Sequence, residues 1–138
     1  MKAVRMRRLS PVTLMAAVRA VVEAGTGKAC VSDPDGRDAP FFGMELVGSA
    51  PRKSKSMRLD EFTVYVHAFA PPSPSQAGLL DLVQEVEEAM EATVELPAPF
   101  ALAGQDEDGI LQIKRDESGE WHAVIAYRIT VSYGLIVK

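Results

Sequence analysis

The sequence predicts an α+β domain: a mainly antiparallel sheet of four strands, or slightly more, with two helices packed on one face, in the order α-β-β-α-β-β. Three observations carry that expectation. Apolar residues recur at three- and four-residue spacing in two separate stretches, each led by a Ser-Pro pair. Two other stretches, 62–69 and 121–133, alternate residue by residue, as strands do. Turn chemistry rich in Gly, Pro, Asp and Ser separates these pieces, and strands that come in pairs between single helices give a sheet backed by helices.

The first element is a helix over 11–24. Ser10 offers a cap oxygen, and Pro11 at the first helical position loses no needed hydrogen bond. Leu14, Met15, Val18, Val21 and Val22 form one apolar stripe, and Gly25 and Gly27 stop the helix. A short apolar piece, Ala29-Cys30-Val31, precedes the turn Asp33-Pro34-Asp35-Gly36. Phe41, Phe42, Met44, Leu46 and Val47 read as a strand over 40–47, and 48–57 as a polar connector. Along 62–69, Phe62, Val64, Val66 and Ala68 point one way and Thr63, Tyr65, His67 and Phe69 the other. Both sets are fairly apolar, so helices are expected on one side and a partner on the other.

Ser73-Pro74-Ser75-Gln76 has the form of a capping box, which places a second helix from there to about Ala92. Leu79, Leu82, Val83, Val86 and Met90 share about a third of its circumference at ~100° per residue. Asp81, Glu85 and Glu88 occupy the opposite side. A loop through Pro97-Ala98-Pro99 and Asp106-Glu107-Asp108-Gly109 leads to a strand at Ile110, Leu111 and Ile113. A hairpin turn at Asp116-Glu117-Ser118-Gly119 and a long strand over 121–137 complete the chain.

The 138 residues read as one domain, 1–138, with the basic segment 1–9 as an extension of it; 47% hydrophobic and 25% charged residues are ordinary for a globular protein. The single Cys30 admits no internal disulfide and excludes four-cysteine metal sites. The basic start resembles the positive region of a secretion signal, but the apolar run after it is broken by Arg19 and lacks a clean cleavage site. No stretch approaches the ~20 apolar residues that span a bilayer, so a soluble protein with no membrane partner is expected. The net charge of −4 conceals a split: residues 1–58 hold 11 Lys/Arg against 5 Asp/Glu (+6), and 59–138 hold 4 against 14 (−10). No Lys or Arg occurs from Leu59 to Ile113. Opposite halves can neutralise one another within a fold or between copies.

Catalytic and metal chemistry find little footing. There is no G-x-S-x-G elbow, Walker loop or G-x-G-x-x-G, and Gly25-Thr26-Gly27-Lys28 follows a helix where a phosphate loop would follow a strand. His67 and His122 both fall in strands without metal-ligand spacing and read as packed, hydrogen-bonding residues; Asp106-Glu107-Asp108-Gly109 reads as a solvated acidic turn. No catalytic residue, cofactor or metal is therefore expected. Two charged surfaces are the candidate sites. Arg52, Lys53, Lys55 and Arg58 read either as a solvated loop or as a surface that meets a neighbouring subunit or lines a channel passed by nucleic acid, and the acidic helix face Asp81, Glu85 and Glu88 is the matching interface candidate.

The succession of elements resembles the tail-terminator, or tail-completion, proteins of long-tailed bacteriophages. The resembling parts are the opening helix, Ala39-Pro40-Phe41-Phe42 leading into a strand and the basic-polar excursion at 48–58. They continue with Phe62–Phe69, the Ser/Pro break before an acidic helix, and the final strand from Trp121 to Val131. The resemblance implies a non-enzymatic virion protein assembled in the host cytoplasm, a ring usually of six copies on the head-proximal end of the tail tube. Its implied partners are other copies of itself, the tail tube protein, a head-tail connector or neck protein, and genomic DNA in passage through the lumen. Judged by residues alone, the other reading is a small non-catalytic binding module whose sheet face holds a peptide or small ligand.

Overall fold

A computed structural model of the chain describes residues 7–53 and 56–135, with Lys53 and Leu135 described through their backbones alone. The elements are α1 (Pro11–Thr26), β1 (Cys30–Val31), β2 (Phe41–Lys53), β3 (Met57–Ala70), α2 (Ala77–Ala89), β4 (Ala101–Arg115) and β5 (Trp121–Leu135). They build one five-stranded sheet in the order β1-β2-β3-β5-β4. β1 runs parallel to β2, and the other neighbouring pairs are antiparallel. The α+β class and the two helices stand as expected, but the sheet is mixed and has a fifth strand. That strand is the Cys30-Val31 piece, too short for its sequence to show any alternation.

α1 starts at Pro11 as expected, yet Ser10 gives no side-chain cap; its backbone carbonyl accepts the Leu14 N–H at 3.1 Å instead. Gly27 ends the helix in the left-handed conformation at φ 69°, donating its N–H to the Glu23 carbonyl at 2.9 Å. The helix thus runs two residues past the expected end and takes in Gly25. A Cβ at Gly25 would lie 2.4 Å from the Ala89 Cβ, so glycine is what lets α1 and α2 touch. α2 begins at Ala77, not at Pro74. The Ser73 and Ser75 hydroxyls accept the N–H groups of Ser75 and Ala77, local turns that compete with helix at these residues. α2 ends at Ala89, before the expected Ala92.

Both helices bury their stripes on the same side of the sheet. Leu14, Val18 and Val22 of α1 and Leu79, Leu82, Val83 and Val86 of α2 join Phe62, Val64 and Val66 of β3 and Ile125, Tyr127 and Ile129 of β5 in one core. At about 1.5–3 kcal/mol per large side chain, this burial outweighs the few tenths lost to like charges spaced i,i+4 on α2. Trp121 Nε1 donates to the Ser73 carbonyl at 2.9 Å, which ties the start of β5 to the lead into α2.

Two loops of the sequence reading are strands. The connector after Val47 continues β2 as far as Lys53, which pairs with Arg58 of β3, so the two strands make one long hairpin. Gly48 and Pro51 hid it, because both are depleted in strand interiors. They are tolerated here because β1 covers β2 only at Phe42 and Gly43 and leaves the rest an edge. β4 begins at Ala101, so the acidic residues 106–108 are strand and not turn. Arg128 of β5 stands opposite Asp106 and binds Asp108 at 2.9 Å, which offsets their charge. The turn at 116–119 forms as expected, with Gly119 at φ 87°. No helix among the described residues is long and apolar enough to cross a membrane.

Candidate functional site

Alternation along β2, β3 and β5 places Glu45, Tyr65, His67, Phe69, His122 and Arg128 on the face away from the helices. Four rings stack there in series. Phe41 lies 4.6 Å from Phe69, Phe69 lies 4.5 Å from His122 at 8° between planes, and His122 lies 4.9 Å from His67. Gly43 makes room for the stack, since a Cβ there would come within 3.2 Å of the Phe69 ring. His67 Nδ1 is 2.7 Å from His122 Nε2, and His67 Nε2 is 2.7 Å from Glu45 Oε1. A carboxylate only accepts, so His67 Nε2–H donates to Glu45, and a single proton lies between His67 Nδ1 and His122 Nε2. Burial, aided by His67, pushes His122 down to about 4. The row borders a groove of about 310 Å³ lined in part by Ser32, Pro34 and Met44.

The sequence reading kept the histidines as packed, hydrogen-bonding groups, and so they are. It missed Glu45 as their third member, because only strand register brings residues 45, 67 and 122 together. The arrangement does not suit one ion. Nitrogens that each sit ~2.0–2.1 Å from a zinc ion are spread wider than 2.7 Å in tetrahedral geometry. Among the described residues, no group of three or more potential ligands is placed to hold a metal.

Of the basic candidates, Arg52 lies near the end of β2 and Arg58 near the start of β3. Arg52 is exposed and donates to Glu61 at 3.2 Å; Glu61 also receives Arg128 at 3.7 Å. Arg58 is half-buried on β3. Lys55 and the side chain of Lys53 lie outside the described residues. Of the acidic candidates, Asp81 and Glu88 are exposed, Glu88 accepting from Gln84. Glu85 already holds Lys28 at 2.7 Å. Among the described residues, no contact joins the two charged sets within one chain, and part of the charge split is met internally.

Two sites built on carboxylates were not foreseen. Asp60 is buried and accepts from Tyr133 Oη at 2.7 Å and Arg8 Nη2 at 2.9 Å, which ties Arg8 to the sheet. Glu107 of β4 faces Glu87 of α2 and Tyr127 of β5 across a cleft of about 120 Å³. Burial, then the contact with Glu87, raises Glu107 to about 7.

The protein is a helix-backed α+β domain whose charged and aromatic groups are spread over its surfaces. A family model described as "Putative tail termination protein" matches residues 5–138, and the chain belongs to that phage tail terminator family. It is a structural protein of the tail, a virion component. The chain is similar in fold to a chain of the solved "Virion of native gene transfer agent (GTA) particle", with a TM-score of 0.62, 16% identity, and coverage of 88% of this chain and 92% of that one. At that identity the likeness is one of fold. Among curated proteins, none matches the chain significantly.

Proposed function

We propose that the chain, acting as one unit over 1–138, forms a ring of six copies that caps the head-proximal end of the tail tube. The ring stops tube polymerisation and joins the tail to a head-tail connector or neck protein. Assembly takes place in the host cytoplasm, the genome passes through the lumen, and the role is structural, without cofactor or catalysis. The observation that carries this reading is the family match over nearly the whole chain, and the fold shared with a chain of a virion particle supports it. Arg52, Lys53, Lys55 and Arg58 on the hairpin face either the lumen or the adjoining copy. Asp81 and Glu88 are the acidic helix residues with exposure to spare, whereas Glu85 is already committed to Lys28.

Negative-stain imaging of the purified protein with tail tubes tests this directly. The expected result is a ring at one tube end and halted growth; tubes that stay bare and keep lengthening would rule it out. Reversing Lys53 and Lys55 to glutamate separates the two placements of the hairpin. A subunit contact predicts loss of ring formation and of its salt dependence. Unchanged assembly means that those lysines do not bridge subunits and leaves them to the lumen or to solvent.

A further inference from the structure

We infer that the sheet continues from one copy to the next, the free edge of β2 pairing antiparallel with the free edge of β4 of the neighbouring copy, Glu45 beside Lys114 and Arg52 beside Asp106. This rests on the ring reading above and gives it a contact.

Among the described residues both margins of the sheet are bare. β1 shields β2 only at Phe42 and Gly43, and no strand lies outside β4. Each bare margin shows apolar side chains to water: Leu46 (36%) and Val47 (47%) on β2, Ile110 (44%) and Leu111 (51%) on β4. Long, partly apolar edges invite a further strand.

Direction permits the pairing. Three successive antiparallel pairs, β2 with β3, β3 with β5 and β5 with β4, leave β4 running opposite to β2. A copy generated by rotation alone therefore presents its β2 antiparallel to β4 of the one before. That is a head-to-tail contact of the kind that closes rings.

Register and charge then agree. From Glu45 to Arg52, β2 runs beside the seven β3 residues Tyr65 back to Leu59. From Lys114 back to Asp106, β4 runs beside the seven β5 residues His122 to Arg128. The irregularities at Val47, Asp108 and Leu111 absorb the difference in chain length. When Glu45 meets Lys114, Arg52 therefore meets Asp106, with opposite charges at both ends. All four project from the helix-free face, where their cross-strand partners Tyr65, Leu59, His122 and Arg128 lie. On the helix side the same register sets Leu46 against Ile113 and Ser49 against Ile110. A slip of two residues would leave Glu45 facing Gln112 or the acidic Asp116, so one register is selected. Pro51 removes one donor near the end of the window, and register shifts interrupt both edges.

A chain carrying Ser49→Cys and Ile110→Cys tests the register by oxidation of the concentrated protein. Ser49→Cys with Ile113→Cys, two residues along the same face, is the control. Cys30 is buried and does not compete. The expected result is a ladder of disulfide-linked oligomers for the first pair, about tenfold above the control because disulfide geometry tolerates little displacement. Equal ladders, or none, overturn the pairing. Rings at tube ends without a ladder remove the edge contact and leave the ring reading standing, whereas the absence of both removes both. Charge exchange supplies a second readout. Glu45→Lys should weaken assembly about tenfold and Lys114→Glu in the same chain should restore it, as expected of a coupled pair. Failure of the double variant to recover also overturns the pairing.

Discussion

His67 and His122 share a single hydrogen bond, 2.7 Å between Nδ1 and Nε2, across the seam between β3 and β5. Only one proton fits between those nitrogens, and Glu45 occupies the remaining nitrogen of His67. One shared proton and one carboxylate therefore complete the row.

Acid should weaken the fold through this row. His122 takes up a proton near 6.5 when unfolded and at about 4 when folded, so the unfolded chain binds more protons between those values. Its contribution is full above about pH 6.5 and drains away as pH falls to 4, about 1–2 kcal/mol once solvent around the half-buried ring is allowed for. His122→Phe should flatten that part of the profile. Urea midpoints at about pH 7 and about pH 5 decide the matter; an equal fall in both proteins would clear His122 of responsibility.

Glu107 works in the opposite sense over the same range. Its folded value of about 7 lies above the ordinary 4.5, so its ionisation opposes folding at neutral pH and the strain is relieved as pH falls toward 4.5. Glu87→Gln removes the neighbouring charge and should stabilise the protein at neutral pH by a few tenths of a kcal/mol, the site being largely open to water. The gain should fade in acid. Thermal melts of the two proteins across that range test it, and a constant difference would contradict the assignment.

Gly25→Ala should be destabilising by about 1–3 kcal/mol, although alanine is the better helix former by ~1 kcal/mol. The added methyl would sit 2.4 Å from Ala89 Cβ and 2.8 Å from its Cα, and backbone cannot step aside cheaply. A chemical denaturation curve gives the value; an unchanged midpoint would mean that the helices part more easily than the packing implies.

The two donors to Asp60 should differ in weight. Tyr133→Phe removes a buried partner and should destabilise by about 1–2 kcal/mol, since a buried carboxylate loses a hydrogen bond. Arg8→Ala should change stability by less than about 1 kcal/mol, because Arg8 is 56% exposed. The reverse order in a denaturation series would show that the chain start matters more than the tyrosine.

What could be read in advance followed from periodicity. The stripes of α1 and α2 and the alternation of 62–69 and 121–133 place the buried side chains correctly, because burial itself writes those patterns. What could not be read lies where two elements must be brought into register. β4 conceals itself behind Asp106, Glu107 and Asp108, residues poor in strands until Arg128 stands opposite them. Gly48 and Pro51 disguise the second half of β2 in the same way. The capping expectation at Ser73 failed for a local reason, since the Ser73 and Ser75 hydroxyls accept N–H groups in turns before the helix begins; at Ser10 the helix starts as expected but the hydroxyl makes no cap bond. The histidine row was visible only as two isolated letters, since its third member comes from a strand whose register no single sequence announces.

The hairpin formed by β2 and β3 is rooted among core residues such as Phe42 and Val66 and carries its positive charge at the far end, beyond the last buried side chain of β2 at Met44. β3 stays paired with β5 as far as Met57, so only the outer strand of the hairpin is a margin. Changes along that outer strand leave the β3–β5 seam in place, so the margin can be refitted to a differently shaped neighbour while the sheet beneath keeps its shape.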